Sequence, residues 1–175
     1  MKRIAIDMDE VLADTLAEHL ARYNRDHNED VAKADLEGKW LWEIVSADRQ
    51  EGLEGYLHAE DFFEDLAVMP ESQRVVKALT QQYEVFIATA AMEFPSSFGP
   101  KFRWLRRHFS FLPPTQFVFC GNKGILQADF LIDDQPLNFR RFRGKGILFS
   151  APHNLNVKGY RRVNDWLDVE KLFLI

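Results

Sequence analysis

Apolar residues gather in five short runs, near residues 2–6, 84–88, 116–120, 129–132 and 146–149, with few polar interruptions. Runs of this length and kind read as strands buried on both faces, the habit of a parallel sheet. Between them the apolar positions return at helical spacing. Val75, Val76 and Leu79 share one side of a helix over 71–82 behind Pro70, and Phe98, Phe102, Leu105 and Phe109 mark another around 99–109. Trp166, Val169 and Phe173 mark a last helix beginning near Asp165. Strands that alternate with helices, joined by connections too long for hairpins, predict an α/β fold with a parallel, doubly wound sheet of about five strands.

Residues 14–69 break this alternation. Asp14 is placed to cap a helix carrying Leu16, Leu20 and Tyr23, and Ser46 to cap another carrying Leu53 and Leu57. The segment therefore reads as a small helical cap inserted after the first strand, with 1–13 and 70–175 forming the core. Within it, Gly38-Lys39-Trp40-Leu41-Trp42 puts two indoles beside a glycine, a loop able to stack on a planar ligand.

The ends of the strands carry the chemistry. The first run leads into Asp7-Met8-Asp9, and the fourth into Asp133-Asp134. Carboxyl ends of strands are where open α/β sheets bind ligands. Up to four carboxylates brought together there demand a cation, and an oxygen-only ligand set matches Mg²⁺, an ion that works with phosphate substrates. No zinc-like spacing competes: His19, His27, His58, His108, His153 and the lone Cys120 are scattered, so the histidines read as surface or packing residues. The second run ends in the hydroxyl of Thr89, and Gly121-Asn122-Lys123-Gly124 follows the third and supplies an ammonium.

The order Asp-x-Asp, Thr, Lys, Asp-Asp, each at a strand end, resembles the four motifs of the haloacid dehalogenase superfamily on its Rossmann-like sheet. Further phrases narrow the resemblance to the 5'(3')-deoxyribonucleotidases of the cytosolic and mitochondrial type and their bacterial relatives. These are Val11-Leu12-Ala13-Asp14, Val85-Phe86-Ile87, Lys101 with Trp104, Ala128-Asp129, Leu131-Ile132, Ile147-Leu148-Phe149 and His153-Asn154. The chain departs from the pattern at Glu10 (glycine in the family), Thr15 (an aromatic), Ala90 (a serine) and Glu93 (a lysine).

The resemblance implies a Mg²⁺-dependent phosphohydrolase. Asp7 would be the nucleophile, giving an aspartyl phosphate, and Asp9 the acid and then the base. Mg²⁺ would be held by Asp7, the Asp9 carbonyl and Asp134, with Asp133 behind them. Thr89, Ala90, Lys123 and Lys101 would receive the phosphate, and Thr15, Trp40 and Trp42 the rest of a nucleoside monophosphate. A dehalogenase expels halide, and a phosphorylated pump keeps its intermediate. Neither needs an acid two residues after the nucleophile, whereas a phosphatase does. A phosphatase of another small metabolite, such as a sugar phosphate, would keep the same core residues. A catalytically silent nucleotide-binding module is the other alternative.

A net charge of −5 argues against a nucleic-acid polymer as partner and leaves a small phosphorylated metabolite. Arg140-Arg141-Phe142-Arg143 is the local exception and reads as a solvated loop. One cysteine forms no internal disulfide, and no long apolar segment suggests a leader or a membrane span. The expectation is a cytoplasmic protein that does not bind membranes; a homodimer stays open.

Overall fold

The computed structural model describes residues 1–175. Six strands form one fully parallel sheet: β1 (Lys2–Ile6), β2 (Tyr83–Thr89), β3 (Phe117–Phe119), β4 (Phe130–Asp133), β5 (Lys145–Phe149) and β6 (Arg161–Val163). Their order is β3-β2-β1-β4-β5-β6. The count of about five is thus corrected to six. β6 escapes a reading by apolar runs because only Val163 of its three residues is buried. It is held by pairing with β5, where Val163 lies level with Phe149.

β1 is central. Ile4 lies level with Val85 on one side and Phe130 on the other, and Ile6 with Ile87 and Ile132. Ile4 and Ile6 belong to the main core, which Val75, Val76 and Leu79 of α4 (residues 72–79) and Trp166, Val169 and Phe173 of α6 (166–174) complete. Ala5 turns to the opposite face with Ala88, Leu131 and Phe142. Burial on both faces is why β1 has no alternating pattern.

The inserted segment forms α1 (Thr15–His27), α2 (Leu41–Ile44) and α3 (Ala47–His58). Asp14 caps α1, its carboxylate accepting the Ala17 N–H at 3.0 Å; Ser46 precedes α3 without a side-chain cap bond. Leu20, Tyr23, Leu36, Leu41 and Leu53 form a small core of their own, whereas Phe62, Phe63 and Leu66 on the return path join the main core. The Gly38–Trp42 stretch is not a free loop, contrary to the sequence reading. α2 begins at Leu41, and Gly38 donates its N–H to the Pro152 carbonyl at 2.9 Å. Gly38 has φ of +89°, and a Cβ there would lie 2.1 Å from the Asn156 amide, so only glycine fits this close approach.

The remaining helix, α5 (Phe98–His108), buries Trp104 and Leu105 in the core and presents Lys101 toward the ends of the strands. The strand order reverses between β1 and β4, so the chains leaving these neighbours diverge and open a crevice at their carboxyl ends. Asp7 follows β1 and Asp133 closes β4.

Candidate active site

The turn after β1 is fixed by its own hydrogen bonds. Asp7 donates its N–H to the Ile132 carbonyl at 2.9 Å, and the Met8 carbonyl accepts the N–H groups of Leu12 and Ala13 at 2.8 and 2.9 Å. The indole of Trp166 donates to the Val11 carbonyl at 2.7 Å. Alternation along the extended backbone buries Met8 completely and turns Asp7 and Asp9 into the crevice. That is the physical content of the Asp-x-Asp spacing.

Lys123, fully buried in the turn after β3, sits between two carboxylates: Nζ lies 2.6 Å from Asp7 Oδ1 and 2.7 Å from Asp133 Oδ2. Asp7 Oδ1 also accepts the Met8 N–H at 2.8 Å, which leaves Oδ2 without a protein partner. Asp133 is fully engaged. It takes the Gln135 N–H at 2.8 Å and the Asn138 amide at 3.0 and 3.1 Å in addition to Lys123.

Asp9 is held from the other side. Thr15 donates to Oδ1 at 3.0 Å, and Lys101 lies 2.5 Å from Oδ2 while also donating to the Thr89 hydroxyl at 3.2 Å. Lys101 and Thr89 are both buried, so the strand-end hydroxyl and the α5 ammonium form one polar unit with Asp9. The Lys101 ammonium rests 4.5 Å from the centre of the Phe63 ring.

Asp134 completes the cluster. One carboxylate oxygen each from Asp7, Asp133 and Asp134 lie within 4.8 Å of one another. Burial pushes Asp134 well above the usual carboxylate range, with Asp133, Asp7 and Glu10 adding to the shift. Burial pushes Asp7 up to about 7; Lys123 pulls against this, and Asp133 and Asp9 reinforce it. Burial would lower the Lys123 ammonium, but Asp7 and Asp133 outweigh it and raise it. Asp7 and Asp134 each keep a carboxylate oxygen that accepts no hydrogen bond, in a site short of positive charge. This donor set suits a hard divalent cation such as Mg²⁺.

Sequence reasoning missed two members of the site. His153, expected as a surface or packing residue, does pack, stacking on Trp40, and also brings Nε2 to 3.3 Å from Asp134 Oδ2. The signal was its position just past the end of β5, beside the Asp-Asp pair. The second is Glu10, whose φ of +58° is the left-handed conformation for which glycine is suited. Its carboxylate is buried and accepts the Leu16 N–H at 2.6 Å, tying the turn after β1 to the start of α1. Burial pushes Glu10 up to about 7, the Leu16 N–H opposing.

Asp7, Asp9, Glu10, Lys101, Asp134 and His153 line a pocket of about 970 Å³ between the sheet and the inserted helices, with Leu16, Leu41, Leu57, Phe63 and Phe94 on its apolar side and Ala90 and Glu93 just past the end of β2. Trp40 and Trp42 also line it. Trp40 has neither face free: it stacks on Trp42 at 4.6 Å and on His153 at 3.7 Å. Trp42 keeps an exposed face.

The raised carboxyls make one prediction about stability. An acid whose pKa is higher in the fold than in the unfolded chain stabilises fully below about pH 4 and loses that contribution as pH rises through its folded value, here about 7 for Asp7 and Glu10. His19 and His153, lowered by burial, act oppositely below about pH 6.5. The Mg²⁺-induced change in melting temperature separates the two. It is expected to be larger at pH 8 than at pH 5, by an amount on the order of a few kcal/mol of stability. Calorimetric melts in EDTA and in Mg²⁺ at both pH values test it; a Mg²⁺ increment equal at the two would contradict it.

A family model for "5' nucleotidase, deoxy (Pyrimidine), cytosolic type C protein" matches residues 1–175. The chain is 40% identical over 174 residues to the 5'(3')-deoxyribonucleotidase of Bacillus subtilis strain 168, covering 99% of both proteins. A Staphylococcus aureus strain Mu50 protein that carries the same name provisionally is 48% identical over 174 residues, 99% of this chain and 96% of that protein. Among solved structures, a haloacid dehalogenase-like hydrolase from Streptococcus pneumoniae superposes with a TM-score of 0.65 at 12% identity, covering 99% of this chain and 98% of that one. A magnesium-bound hydrolase of the same kind from Bacillus subtilis gives 0.62 at 14% identity, over 99% of each chain. These last two bear on the fold alone, and they agree with the α/β architecture expected from the sequence. No helix is long and apolar enough to cross a membrane. The relatives' names are those of phosphoric monoester hydrolases, the enzyme class that the strand-end acids, Thr89 and Lys123 predict. With the family model matched over all 175 residues, the chain belongs to the family of cytosolic-type 5'(3')-deoxyribonucleotidases.

Proposed function

We propose that this chain is a Mg²⁺-dependent phosphatase of deoxynucleoside monophosphates that works through a phosphorylated Asp7. The observation that carries the reading is Asp7 itself. One of its oxygens is fixed by Lys123 and the Met8 N–H, the other is free of protein partners, and Asp9 stands beside it under the control of Lys101.

Asp7 and Asp134, with the main-chain carbonyl of Asp9, would hold Mg²⁺, which when bound neutralises charge on the phosphoryl oxygens. The free oxygen of Asp7 attacks phosphorus, forming an O–P bond as the ester O–P bond breaks. A phosphate dianion competes for the Lys101 ammonium and the Thr89 hydroxyl and so releases Asp9, which takes up a proton from solvent and gives it to the departing alkoxide. Asp9 then takes a proton from water, which attacks the phosphoryl group and restores the Asp7 carboxylate. Asp133, engaged by Lys123, Gln135 and Asn138, serves to hold Lys123.

Residues 14–69 act as a cap over the pocket in this reading. With Trp40 enclosed, the exposed face of Trp42 and the ring of Phe94 are the surfaces left to receive a base. A ribose 2'-hydroxyl set against the apolar side of Leu16, Leu41, Leu57 and Phe94 would find no partner there, and burying one unpaired costs about 1–3 kcal/mol. dUMP or dTMP is therefore expected to exceed UMP by about tenfold to a hundredfold in kcat/KM. Parallel rates on dUMP, UMP and glucose 6-phosphate in Mg²⁺ test the assignment. Equal rates on the two nucleotides remove the deoxy preference, and faster turnover of the sugar phosphate replaces the nucleotidase with a metabolite phosphatase.

A further inference from the structure

His153 stands between the metal-binding cluster and the helical segment, and touches both. Its Nε2 lies 3.3 Å from the Asp134 carbonyl and 3.3 Å from Asp134 Oδ2. The Asp134 carbonyl can only accept, so the proton is on Nε2 and the ring donates to it. Its flat face meets Trp40 at 3.7 Å with the planes 9° apart. The ring cannot shift on one side without disturbing the other.

The segment carrying His153 is itself anchored. Asn154, fully buried, donates to the carbonyls of Asp134 and Phe149 at 2.7 and 2.8 Å. Arg162 donates to the Asn154 side chain at 2.8 Å and to its carbonyl at 2.9 Å. The backbone of Asp134 is thus fixed by Asn154 and by the His153 N–H, and its carboxylate oxygen Oδ2 lies against the same ring nitrogen. Trp40, in contrast, belongs to the inserted segment, which meets the core here through the Gly38 N–H on the Pro152 carbonyl at 2.9 Å.

We propose that His153 is a positioning residue that restrains the Asp134 carboxylate to one available oxygen and couples its placement to the Trp40 stack, so that cation affinity and cap position depend on each other. The proposal rests on reading Asp7 and Asp134 as the cation site. A carboxylate limited to one oxygen suits Mg²⁺, which demands compact octahedral geometry, and disfavours Ca²⁺, which accepts both oxygens of a carboxylate. Partners of this kind behind a metal ligand change affinity by about 10- to 100-fold when removed. The coupling is reciprocal: what the stack does for the cation, the cation must do for the stack.

The experiment is calorimetric titration of the substrate-free full chain with Mg²⁺ and with Ca²⁺. His153→Phe keeps a ring on Trp40 and removes the N–H. It is expected to bind Mg²⁺ about tenfold more weakly and to raise the Ca²⁺-to-Mg²⁺ affinity ratio. Trp40→Ala is expected to weaken Mg²⁺ binding severalfold, and Trp40→Phe to restore it. Hydrogen exchange across residues 37–45 is expected to slow in Mg²⁺ in the wild type and not in His153→Phe. Asp134→Asn marks the site. If the wild type binds no Mg²⁺, or Asp134→Asn binds it equally well, the cation-site reading fails and the proposal with it. If Asp134→Asn loses binding while His153→Phe matches the wild type within twofold at an unchanged Ca²⁺-to-Mg²⁺ ratio, only the role of His153 is overturned. Should His153→Phe fail to melt cooperatively, Trp40→Ala decides, and Mg²⁺ affinity equal to wild type there overturns the coupling.

Discussion

Asp7→Asn is expected to lower kcat by on the order of 10⁵-fold, the scale seen when a covalent catalyst loses its nucleophile. An amide in place of the carboxylate keeps the shape of the side chain and can still accept the Met8 N–H and the Lys123 ammonium at one atom. The attacking oxygen is lost. The fold is expected to survive, because Asp7 is a buried acid pushed up to about 7, and removing its charge relieves repulsion from Asp133 and Asp9. Steady-state rates on dUMP together with a melting curve check both halves. Activity within tenfold of the wild type, in a variant that melts cooperatively, would remove Asp7 from the centre of the mechanism.

Lys123→Met is expected to be the most destabilising single change in the site. Lys123 is completely buried and neutralises Asp7 and Asp133 at 2.6 and 2.7 Å. Without it two carboxylates face each other in a low-dielectric interior, and breaking a buried pair in this way costs about 3–5 kcal/mol. The loss is expected to grow with pH as Asp7, pushed up to about 7 by burial, ionises, and adding Asp133→Asn is expected to recover part of it. Turnover falls as well, because Asp7 Oδ1 loses the contact that orients the attacking group. Denaturant unfolding of the single and double variants at pH 6 and pH 8 measures the effect. A single variant as stable as the wild type at pH 8 would show that the ammonium does not compensate these charges.

The architecture was legible because burial on both faces leaves apolar runs at Ile4–Ile6, Val85–Ala88 and Phe130–Ile132 in β1, β2 and β4, and because helix caps such as Asp14 and Asp165 are local chemistry. β6 was not, since an edge strand of three residues carrying Arg161 and Arg162 is defined by its partner rather than by its own pattern. The site divides in the same way. Asp7, Asp9, Thr89, Lys123, Asp133 and Asp134 each sit at or just beyond a strand end, and the topology brings them together. Lys101 is different: a helical lysine looks solvated in sequence, and only the packing of α5 on β3, Phe98 on Phe119 and Phe102 on Phe117, delivers it to Asp9. His153 and Glu10 were hidden for other reasons. One acts through a stack formed with a residue more than a hundred positions away, and the other through a backbone conformation that nothing in its side chain announces.

Trp40 shows how far residue type alone reaches. Two tryptophans beside a glycine suggest a stacking surface, and the structure forms one, but Trp40 spends both faces on Trp42 and His153. The ring binds the inserted segment to the core, and what remains for a ligand is the exposed side of Trp42.

The covalent step is the claim on which the rest depends, and acid quenching tests it most directly. Enzyme mixed with phosphate-labelled dUMP in Mg²⁺ is stopped within the first turnover, digested and mapped. Label on the peptide containing Asp7, lost on treatment with hydroxylamine and absent from Asp7→Asn, is the result predicted. Full release of labelled phosphate in that same turnover, with no label on the Asp7 peptide at any time point, would contradict it.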